Sequence, residues 1–390
     1  MSVLQSTGRP ARVLIAGGGF AAVEAALALR ALAGDRVELT LVSPDPVLEY
    51  RPAATLTAFD DRVPLRYDLA AIATDVGAMY HKTLVESVAP QKRHLRTASG
   101  ARLEYNALIL ATGARAITGI PGAMTFRDQR DLHLIARLLA EVDSEAARRV
   151  VFAVPTGVSW PLPIYELALL TAARATERGL DVEISLVTPE REPLAVFGPH
   201  ASNLVRGLLE DRDVRFIGDA AAAGVRRDGV LMLRSGGPIR ADRVVAVPQL
   251  RGRRITGVPT TRLGFVPTDT YGRVDGIEDV YAAGDITTFP VKQGGLAAQQ
   301  ADVVAHTIAA GAGASTKGLR DGHVLRALLI GGRAPLMLRT ELDAWGRPGA
   351  AALERIDKRE ASSSNKMVAR YLTPYLETRD PLPAHPLATV

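Results

Sequence analysis

The feature that most constrains the fold is a cluster of glycines between an apolar segment and an Ala-rich segment. Residues 12–16 predict a short buried strand, and residues 20–33 predict a helix that begins directly after the glycines. Small residues at Gly17, Gly19 and Ala22 form the pattern G-x-G-x-x-A, which permits a tight turn, close approach of a pyrophosphate and packing of the helix on the strand. The sequence therefore predicts a dinucleotide-binding turn with phosphates at the helix N-terminus.

Two further apolar segments, residues 37–42 and 107–110, also predict strands. The first should end in an acid that binds a ribose, but Ser43 stands there and Asp45 follows two residues later, so the ribose contact stays open. The second leads into small residues at 111–114, which allow the backbone to approach a ligand or a neighbouring element closely.

A fourth strand is predicted at residues 279–283, and it ends beside Asp285. This places a carboxylate at the carboxyl end of a parallel strand, where ligands of α/β proteins usually bind. A helix predicted at residues 296–310 follows a Gly-containing loop, and its N-terminus should face the same ligand. Lys292 and Gln293 precede this helix, and they either contact the ligand or serve as a solvated residue and a cap.

Composition and charge exclude several functions. The 390 residues suggest two or three packed units, and the chain has no cysteine, which excludes disulfides, thiolate metal sites and persulfides. No His, Asp and Glu spacing indicates a metal site. The densest basic cluster, Arg251, Arg253 and Arg254, has no interleaved aromatics, so we expect no nucleic-acid binding. That cluster is either a solvated loop or a surface that attracts an anionic substrate, redox partner or lipid.

The location of the protein follows from its apolar segments. The first apolar run is short and ends in glycines, unlike a signal peptide, and no segment approaches the ~18 apolar residues of a membrane span. We therefore expect a cytoplasmic protein without a transmembrane span. Peripheral contact with the inner face of the membrane and assembly into a homodimer stay open.

Four motifs together resemble the two-dinucleotide-binding-domain flavoproteins: AGGGFAAVE, LILATGA, GRVDGIEDVYAAGD and KQGGLAAQQAD. This superfamily is that of the FAD-dependent pyridine nucleotide-disulfide oxidoreductases, and the resemblance is nearest to the sulfide:quinone oxidoreductase and flavocytochrome c sulfide dehydrogenase flavoprotein group. It implies that the first unit binds FAD, with Asp285 at a ribitol hydroxyl. The predicted FAD-binding residues are Gly17, Gly18, Gly19, Phe20, Ala21, Ala22, Ser43, Arg51, Val85, Ala111, Thr112, Gly113, Pro155, Gly284, Asp285, Lys292 and Gln293.

The resemblance also implies the organisation of the chain. We expect an α/β fold with two Rossmann-like dinucleotide-binding domains, the second inserted in the first, and a small C-terminal α/β domain. The expected bounds are 1–116 with 248–316 for FAD, 117–247 for the second unit and 317–390 for the last. Apolar residues within 367–376 predict one face of a helix. That helix either packs on the flavin domain or, as in resembling proteins, meets lipid, with Lys366 and Arg370 beside it.

The second unit departs from the expected pattern. Its first strand, residues 149–154, leads into PTGVSWPLPIYELALL, where Gly157 is the one glycine of the turn. Trp160 and two prolines occupy the region that a pyrophosphate would approach, so a pyridine nucleotide should fit poorly. Glu190, after the next strand, could in principle bind a ribose. We keep NAD(P)H as an alternative donor.

The candidate catalytic residues are Glu166, Lys292 and Trp160. Glu166 could exchange a proton with an acceptor, or it could be a solvated or capping residue. Lys292 could add positive charge near the flavin N1 and C2 carbonyl edge. Trp160 could stack on a planar acceptor or simply pack.

These observations favour an FAD-dependent oxidoreductase that passes electrons from a small-molecule donor through the flavin to a quinone-like or protein acceptor. Sulfide oxidisers of the resembling group carry sulfur on cysteines, and the chain has none, so cysteine persulfide chemistry is excluded. Two alternatives remain: an NAD(P)H dehydrogenase of the type II NADH:quinone kind, and a flavin-bound redox-sensing or scaffold protein with little turnover.

Overall fold

The computed structural model describes residues 9–59, 64–316, 322–331, 334–349 and 366–383, and it combines helices with both parallel and antiparallel strands. The first part contains β1 (Ala11–Ala16), α1 (Phe20–Ala33), β2 (Val37–Ser43), β3 (Val47–Glu49), α2 (Ala54–Thr57), β4 (Arg66–Asp68), α3 (Leu69–Asp75), β5 (Ala78–Lys82), β6 (Val85–Ala89), β7 (His94–Thr97), β8 (Arg102–Glu104), β9 (Ala107–Leu110) and β10 (Ala114–Ile117).

The remaining elements fall into a middle part and a last part. The middle part contains β11 (Met124–Thr125), α4 (Leu132–Asp143), β12 (Arg149–Ala153), α5 (Leu162–Glu177), β13 (Glu183–Val187), α6 (Gly198–Glu210), β14 (Val214–Ile217), β15 (Ala222–Val225), β16 (Val230–Leu233), β17 (Ile239–Arg240), β18 (Arg243–Ala246) and β19 (Gln249–Gly252). The last part contains β20 (Val280–Ala282), α7 (Gly294–Gly311), β21 (His323–Leu329), β22 (Leu336–Leu342) and α8 (Leu372–Glu377).

The first unit is built on a five-stranded parallel sheet in the order β20-β9-β1-β2-β5. Its central strands are continuous apolar runs because helices cover one face and the antiparallel sheet β6-β7-β8 covers the other. The Ala-rich helices α1 and α7 pack side by side on the helical face. Small side chains allow this close packing, so the N-termini of both helices lie near each other at the carboxyl end of the sheet.

The second unit repeats this plan. Its parallel sheet has the order β11-β18-β12-β13-β14, so that the first full strand, β12, again lies in the centre and leads into a helix, α5. A three-stranded antiparallel sheet, β15-β16-β17, packs on one face through a separate apolar cluster. The prediction of an α/β fold with two Rossmann-like units is confirmed.

A two-stranded antiparallel ribbon, β10 with β19, joins the units where the chain leaves the first sheet and returns to it. The domain bounds that the sequence predicts, at residues 116 and 248, fall at this ribbon and stay a prediction.

The C-terminal part is divided between the two units. The hairpin of β21 and β22 adds apolar side chains to the core of the second unit, whereas Met367, Ala369, Leu372 and Leu376 join the core of the first. The sequence predicted that residues 367–376 form one helical face, and this is wrong for residues before Leu372. Pro374 explains the difference, because a proline clashes with the carbonyl four residues earlier and is tolerated only in the first helical turn.

The lipid-facing interpretation of Lys366 is also wrong. Its side chain is 5% exposed and forms an ion pair with Glu166. The alternative, packing on the first unit, describes the segment correctly, although Val368 is 43% exposed. No helix among the described residues is long and apolar enough to cross a membrane.

Glu24 of α1 provides the start of α8 with hydrogen-bond acceptors. Its buried carboxylate accepts from the backbone N–H of Leu372 at 2.6 Å and of Tyr371 at 3.0 Å. Burial raises the pKa of Glu24 to about 7, against the two backbone donors, which lower it. The Glu24 carboxyl group therefore binds a proton more tightly in the folded protein than in the unfolded chain.

We predict that Glu24→Gln changes the dependence of stability on pH. Because the folded pKa of Glu24 is raised, the wild type binds more protons when folded and loses stability as pH rises from about 4.5 to 7, by roughly 3 kcal/mol from this group. The variant lacks that loss, so its free energy of unfolding should rise relative to wild type over this interval. Denaturant melts at several pH values measure the difference, and a difference independent of pH would contradict the prediction.

Candidate active site

A cavity of about 1230 Å³ extends from the glycine turn of the first unit to the start of α5 in the second. Ligand pockets usually enclose ~300–1,000 Å³, so this one has room for an extended ligand and a second, smaller molecule. The predicted residues that line it are Gly17, Gly18, Gly19, Phe20, Ala21, Ser43, Arg51, Val85, Ala111, Thr112, Gly113, Gly284, Asp285, Lys292, Gln293, Glu166 and Trp160. Two do not: Ala22 is buried in the core, and Pro155 packs against Gly119.

The glycine turn is shaped by close backbone contacts. Gly17 has φ of +140°, and a Cβ there would lie 2.1 Å from the carbonyl oxygen of Ala111. A Cβ at Gly18 would lie 2.6 Å from the Ser43 hydroxyl, whereas one at Gly19 would meet no protein atom within 4 Å. Gly17 and Gly18 therefore serve the fold, while Gly19 leaves space at the N-terminus of α1.

The start of α1 lacks a side-chain cap. Gly19 is its N-cap residue and makes no side-chain hydrogen bond, so the first N–H groups of the helix are available to a ligand. The Ser43 hydroxyl donates to the Asp45 carbonyl at 3.2 Å, and Asp45 also lines the cavity. An anion, such as a pyrophosphate, would be stabilised at this helix end.

Two polar groups of the cavity wall, the carboxylate of Asp285 and the hydroxyl of Thr112, accept or donate no hydrogen bond within the described part of the chain. Asp285 is influenced by the charges of Lys292 and Arg51 alone, and the hydroxyl of Thr112 is fully buried. Burial raises the pKa of Asp285, opposed by the charges of Lys292 and Arg51. Buried polar groups are normally paired, so these two groups indicate a ligand with hydroxyl or amide groups.

Lys292 lies beside Asp285 in the same wall. Its ammonium donates to the Thr287 carbonyl and lies 4.3 Å from the centre of the Phe265 ring. Burial lowers the pKa of Lys292 to about 8, and the negative charge of Asp285 opposes that change. Gln293 caps α7, because its side-chain oxygen accepts from the Leu296 N–H at 2.9 Å. Gln293 is therefore a helix cap, as one of its two interpretations expected. The interpretation of Lys292 as a solvated residue is wrong.

Glu166 is fully buried at the other end of the cavity. Lys366 donates to both carboxylate oxygens, at 2.6 and 2.7 Å, Thr55 donates at 2.6 Å, and the Ile330 N–H donates at 3.1 Å. Burial raises the pKa of Glu166, and the ammonium of Lys366 is the strongest opposing influence. The interpretation of Glu166 as a solvated or capping residue is therefore wrong.

Trp160 lines the cavity and also packs. Its ring centre lies 6.2 Å from that of Phe197, in an edge-on arrangement. Thr55 and Lys366 are site residues that sequence reasoning missed, because neither lies in a motif and both meet Glu166 only through the fold. The sequence did show Lys366 as a cation next to an apolar segment, but that pattern was interpreted as a contact with lipid.

Glu190, the acid that follows β13, is hydrogen-bonded to other residues of the protein. Glu190 accepts hydrogen bonds from the Tyr165 hydroxyl at 2.7 Å and from the Thr188 hydroxyl at 3.1 Å, and burial raises its pKa. Glu190 does not line the cavity. The position that would bind a ribose in a second dinucleotide site is therefore already satisfied by the protein.

An open turn at α1 that suits a pyrophosphate, a carboxylate at Asp285 and a free hydroxyl at Thr112 that suit a polyol, and the cation of Lys292 beside them fit a flavin dinucleotide. The sequence profile of the pyridine nucleotide-disulphide oxidoreductase family matches residues 11–312. The chain belongs to this family, and its cofactor is FAD.

Known relatives agree with this assignment. The chain is 26% identical to the sulfide-quinone reductase of Aquifex aeolicus over 76% of its own length and 75% of that protein. It is 29% identical to the NADH dehydrogenase-like protein Rv1812c of Mycobacterium tuberculosis over 70% and 72% of the two chains. The solved structure of the Aquifex aeolicus sulfide:quinone oxidoreductase has the same fold, with a TM-score of 0.77, 20% identity and coverage of 85% and 84%.

We predict that two glycine substitutions in the turn affect different properties, one the stability of the fold and the other the affinity for FAD. Gly17→Ala should destabilise the fold by more than about 4 kcal/mol, because the methyl group collides with the Ala111 carbonyl. Gly19→Ala should change the stability of the apoprotein by less than about 1 kcal/mol, because its methyl group meets no protein atom, yet weaken FAD binding at least tenfold. Thermal unfolding and FAD fluorescence titration measure the two effects. Unchanged FAD affinity in Gly19→Ala would refute the assignment of the turn.

Proposed function

We propose that the protein passes electrons from a small-molecule donor to a quinone-like acceptor at this cavity, without cysteine chemistry. When bound, FAD supplies one- and two-electron transfer through its isoalloxazine ring. The predicted FAD residues are those named above, with Gly19 at the pyrophosphate, Asp285 at the ribitol and Lys292 near the flavin ring.

The observation that carries the proposal is the apolar wall of the cavity beyond Asp285. Val158, Trp160, Leu162, Phe289 and Leu328 line it, and it leads to the carboxylate of Glu166. A planar apolar acceptor suits such a wall. A quinone takes up two protons with two electrons, and an ionisable pair at the wall supports that chemistry.

The chain offers no thiol for carrying sulfur between donor and acceptor. A donor must therefore deliver its electrons without forming a bond to a cysteine. This separates the proposed reaction from cysteine-dependent sulfide oxidation, even though a relative is named a sulfide-quinone reductase.

NAD(P)H is the weaker candidate donor. The start of α5 is occupied by Pro161 and Pro163. The Glu190 carboxylate, which could bind a ribose, accepts a hydrogen bond from Tyr165. A relative is named an NADH dehydrogenase-like protein, so this alternative is tested directly below.

A protein acceptor is a second candidate, because a surface beside the cavity carries unpaired arginines. Arg115 and Arg251 lie directly opposite each other on the ribbon of β10 and β19, where like charges are unfavourable. Arg253, Arg254 and Arg262 follow nearby, and none of this arginine surface forms an ion pair with a described acid. An acidic redox protein is the partner that such a surface would attract.

We predict that NADH and NADPH reduce the FAD-loaded protein slowly or not at all under anaerobic conditions. After chemical reduction, a soluble quinone should restore the flavin absorbance within seconds to minutes. Stopped-flow spectra with a panel of donors measure both. Rapid bleaching by NADH or NADPH would replace the proposal with the dehydrogenase alternative. Failure of every donor and every quinone would favour a redox sensor with little turnover.

The arginine surface predicts a separate effect. Arg115→Glu combined with Arg262→Glu should slow electron transfer to an acidic redox protein at least tenfold at low salt, and the difference should shrink at high salt. The rate with a neutral quinone should not change, because neither residue lines the cavity. Arg226→Glu, which alters an exposed arginine paired with Asp228, is the control. Equal rates for all three proteins would exclude this surface as a docking site.

A further inference from the structure

A segment near the C-terminal end of the described chain crosses the two helices that begin at the cavity. Residues 366–379, here called the C-terminal strap, contain α8. Buried side chains of Met367, Leu372 and Leu376 pack with those of α1 and α7 in the core of the first unit. The strap therefore runs across the helices whose N-termini face the cavity.

The first residues of the strap pack at the start of α7. A Cβ on Gly294 would lie 2.6 Å from the Phe20 ring and 3.3 Å from the sulfur of Met367. A Cβ on Gly295 would lie 3.4 Å from the carbonyl oxygen of Val368. Both Phe20 and Gly294 line the cavity. The strap thus packs against residues of the cavity wall, beside the helix N-termini that would stabilise the phosphates of FAD.

Glu24 of α1 attaches the middle of the strap to the first unit. Its carboxylate accepts hydrogen bonds from the backbone N–H groups of Leu372 at 2.6 Å and Tyr371 at 3.0 Å, which lie 348 and 347 positions further along the chain. The N–H groups at a helix start need acceptors, and a neighbouring side chain usually supplies one. The N-cap of α8 makes no such side-chain bond. The acceptor comes from α1 instead, one helical turn after Phe20, so it holds the strap close to the cavity.

The charged groups around Glu24 come from α7 and from the strap itself. Burial raises the pKa of Glu24 to about 7, and the negative charge of Asp302 on α7 acts in the same direction. The buried His306 of α7 lies 3.2 Å from the Asp302 carboxylate. The strap contributes Arg370, which lies 3.6 Å from Asp302, and the phenol of Tyr371. These surroundings favour a protonated Glu24 while the strap covers it.

We propose that Glu24 is a positioning residue for the FAD site: it fastens the C-terminal strap across the starts of α1 and α7, so that bound FAD is released slowly. This inference goes beyond the proposed function, because it concerns retention of the cofactor and neither the donor nor the acceptor.

The attachment of the strap depends on pH. When the strap lifts off, Glu24 returns to water, where its pKa is 4.5, whereas the pKa is about 7 under the attached strap. The attached state therefore binds the proton more tightly, is favoured at low pH, and weakens as pH rises through 7. From these two pKa values the equilibrium for attachment falls by about tenfold between pH 6 and pH 8.

The first measurement is the rate at which FAD leaves the loaded full chain, followed by the fluorescence of the released cofactor. Glu24→Leu removes the acceptor, so at pH 6 FAD should leave at least tenfold faster than from wild type. Glu24→Gln keeps an uncharged acceptor oxygen, so its rate at pH 6 should stay close to that of wild type. Between pH 6 and pH 8 the rate should increase about tenfold more in wild type than in Glu24→Gln.

Amide hydrogen exchange follows the strap directly. The Leu372 amide should be protected in wild type and in Glu24→Gln at pH 6, and should exchange at least tenfold faster in Glu24→Leu. Glu38→Gln is the control, because it changes an exposed glutamate on β2 of the same unit. Its amide exchange and its rate of FAD release should equal those of wild type at each pH.

Two results would overturn the inference: FAD release from Glu24→Leu at the wild-type rate, or the same pH dependence of release in wild type and Glu24→Gln. If Glu24→Leu does not fold, the isosteric Glu24→Gln decides by its pH dependence alone. Neither measurement needs a donor or an acceptor, so a failure here is distinct from a failure of the proposed function.

Discussion

The contact between the glycine turn and the end of β9 determines how the rest of the site is arranged. A Cβ at Gly17 would collide with the Ala111 carbonyl. Because glycine has no Cβ, β1 and β9 can end side by side and α1 can begin directly above them. A Cβ at Gly284 would likewise lie 3.1 Å from Ala21 and 3.2 Å from Ala297. These close approaches bring the start of α1, the start of α7 and Asp285 to one edge of the sheet. The cavity is a consequence of backbone packing before any side chain contributes.

The second unit shows that the same topology need not keep the same site. Its central strand, its crossover helix α5 and its acid after β13 occupy positions equivalent to those of the first unit. Proline at the start of α5 and the hydrogen bond from Tyr165 to Glu190 make these positions less suited to binding a dinucleotide. The Glu190 carboxylate, which could bind the ribose of a second dinucleotide, already accepts hydrogen bonds from Tyr165 and Thr188. Instead, the unit contributes an apolar wall and Glu166 to the shared cavity.

The sequence predicted those features that depend on neighbouring residues. The turn at Gly17, the acid at Asp285 and the altered turn before α5 are all local patterns of residue size and spacing. It could not predict the pair of Glu166 and Lys366, because those residues are 200 positions apart and a buried lysine looks like a solvated one in the sequence. The helix expected over 367–376 was wrong because apolar spacing was given more weight than Pro374. Part of the expected C-terminal domain, including residues 350–365, lies outside the described residues.

Asp285, Lys292 and Glu166 are three of the ionisable groups along the cavity, and their surroundings differ. Asp285 and Lys292 are close enough to influence each other's pKa, and both are desolvated, so the ammonium with a pKa of about 8 can give up or regain a proton near neutral pH. Glu166 is instead held by a full set of donors, which fixes the place and orientation of its carboxylate. A reaction that moves electrons together with protons needs both kinds of group: one whose charge can change as the electrons arrive, and one that receives a proton at a defined place. The division between a lysine whose charge can change and a carboxylate held in a fixed place at the apolar wall is the physical basis for proposing proton-coupled electron transfer in this cavity.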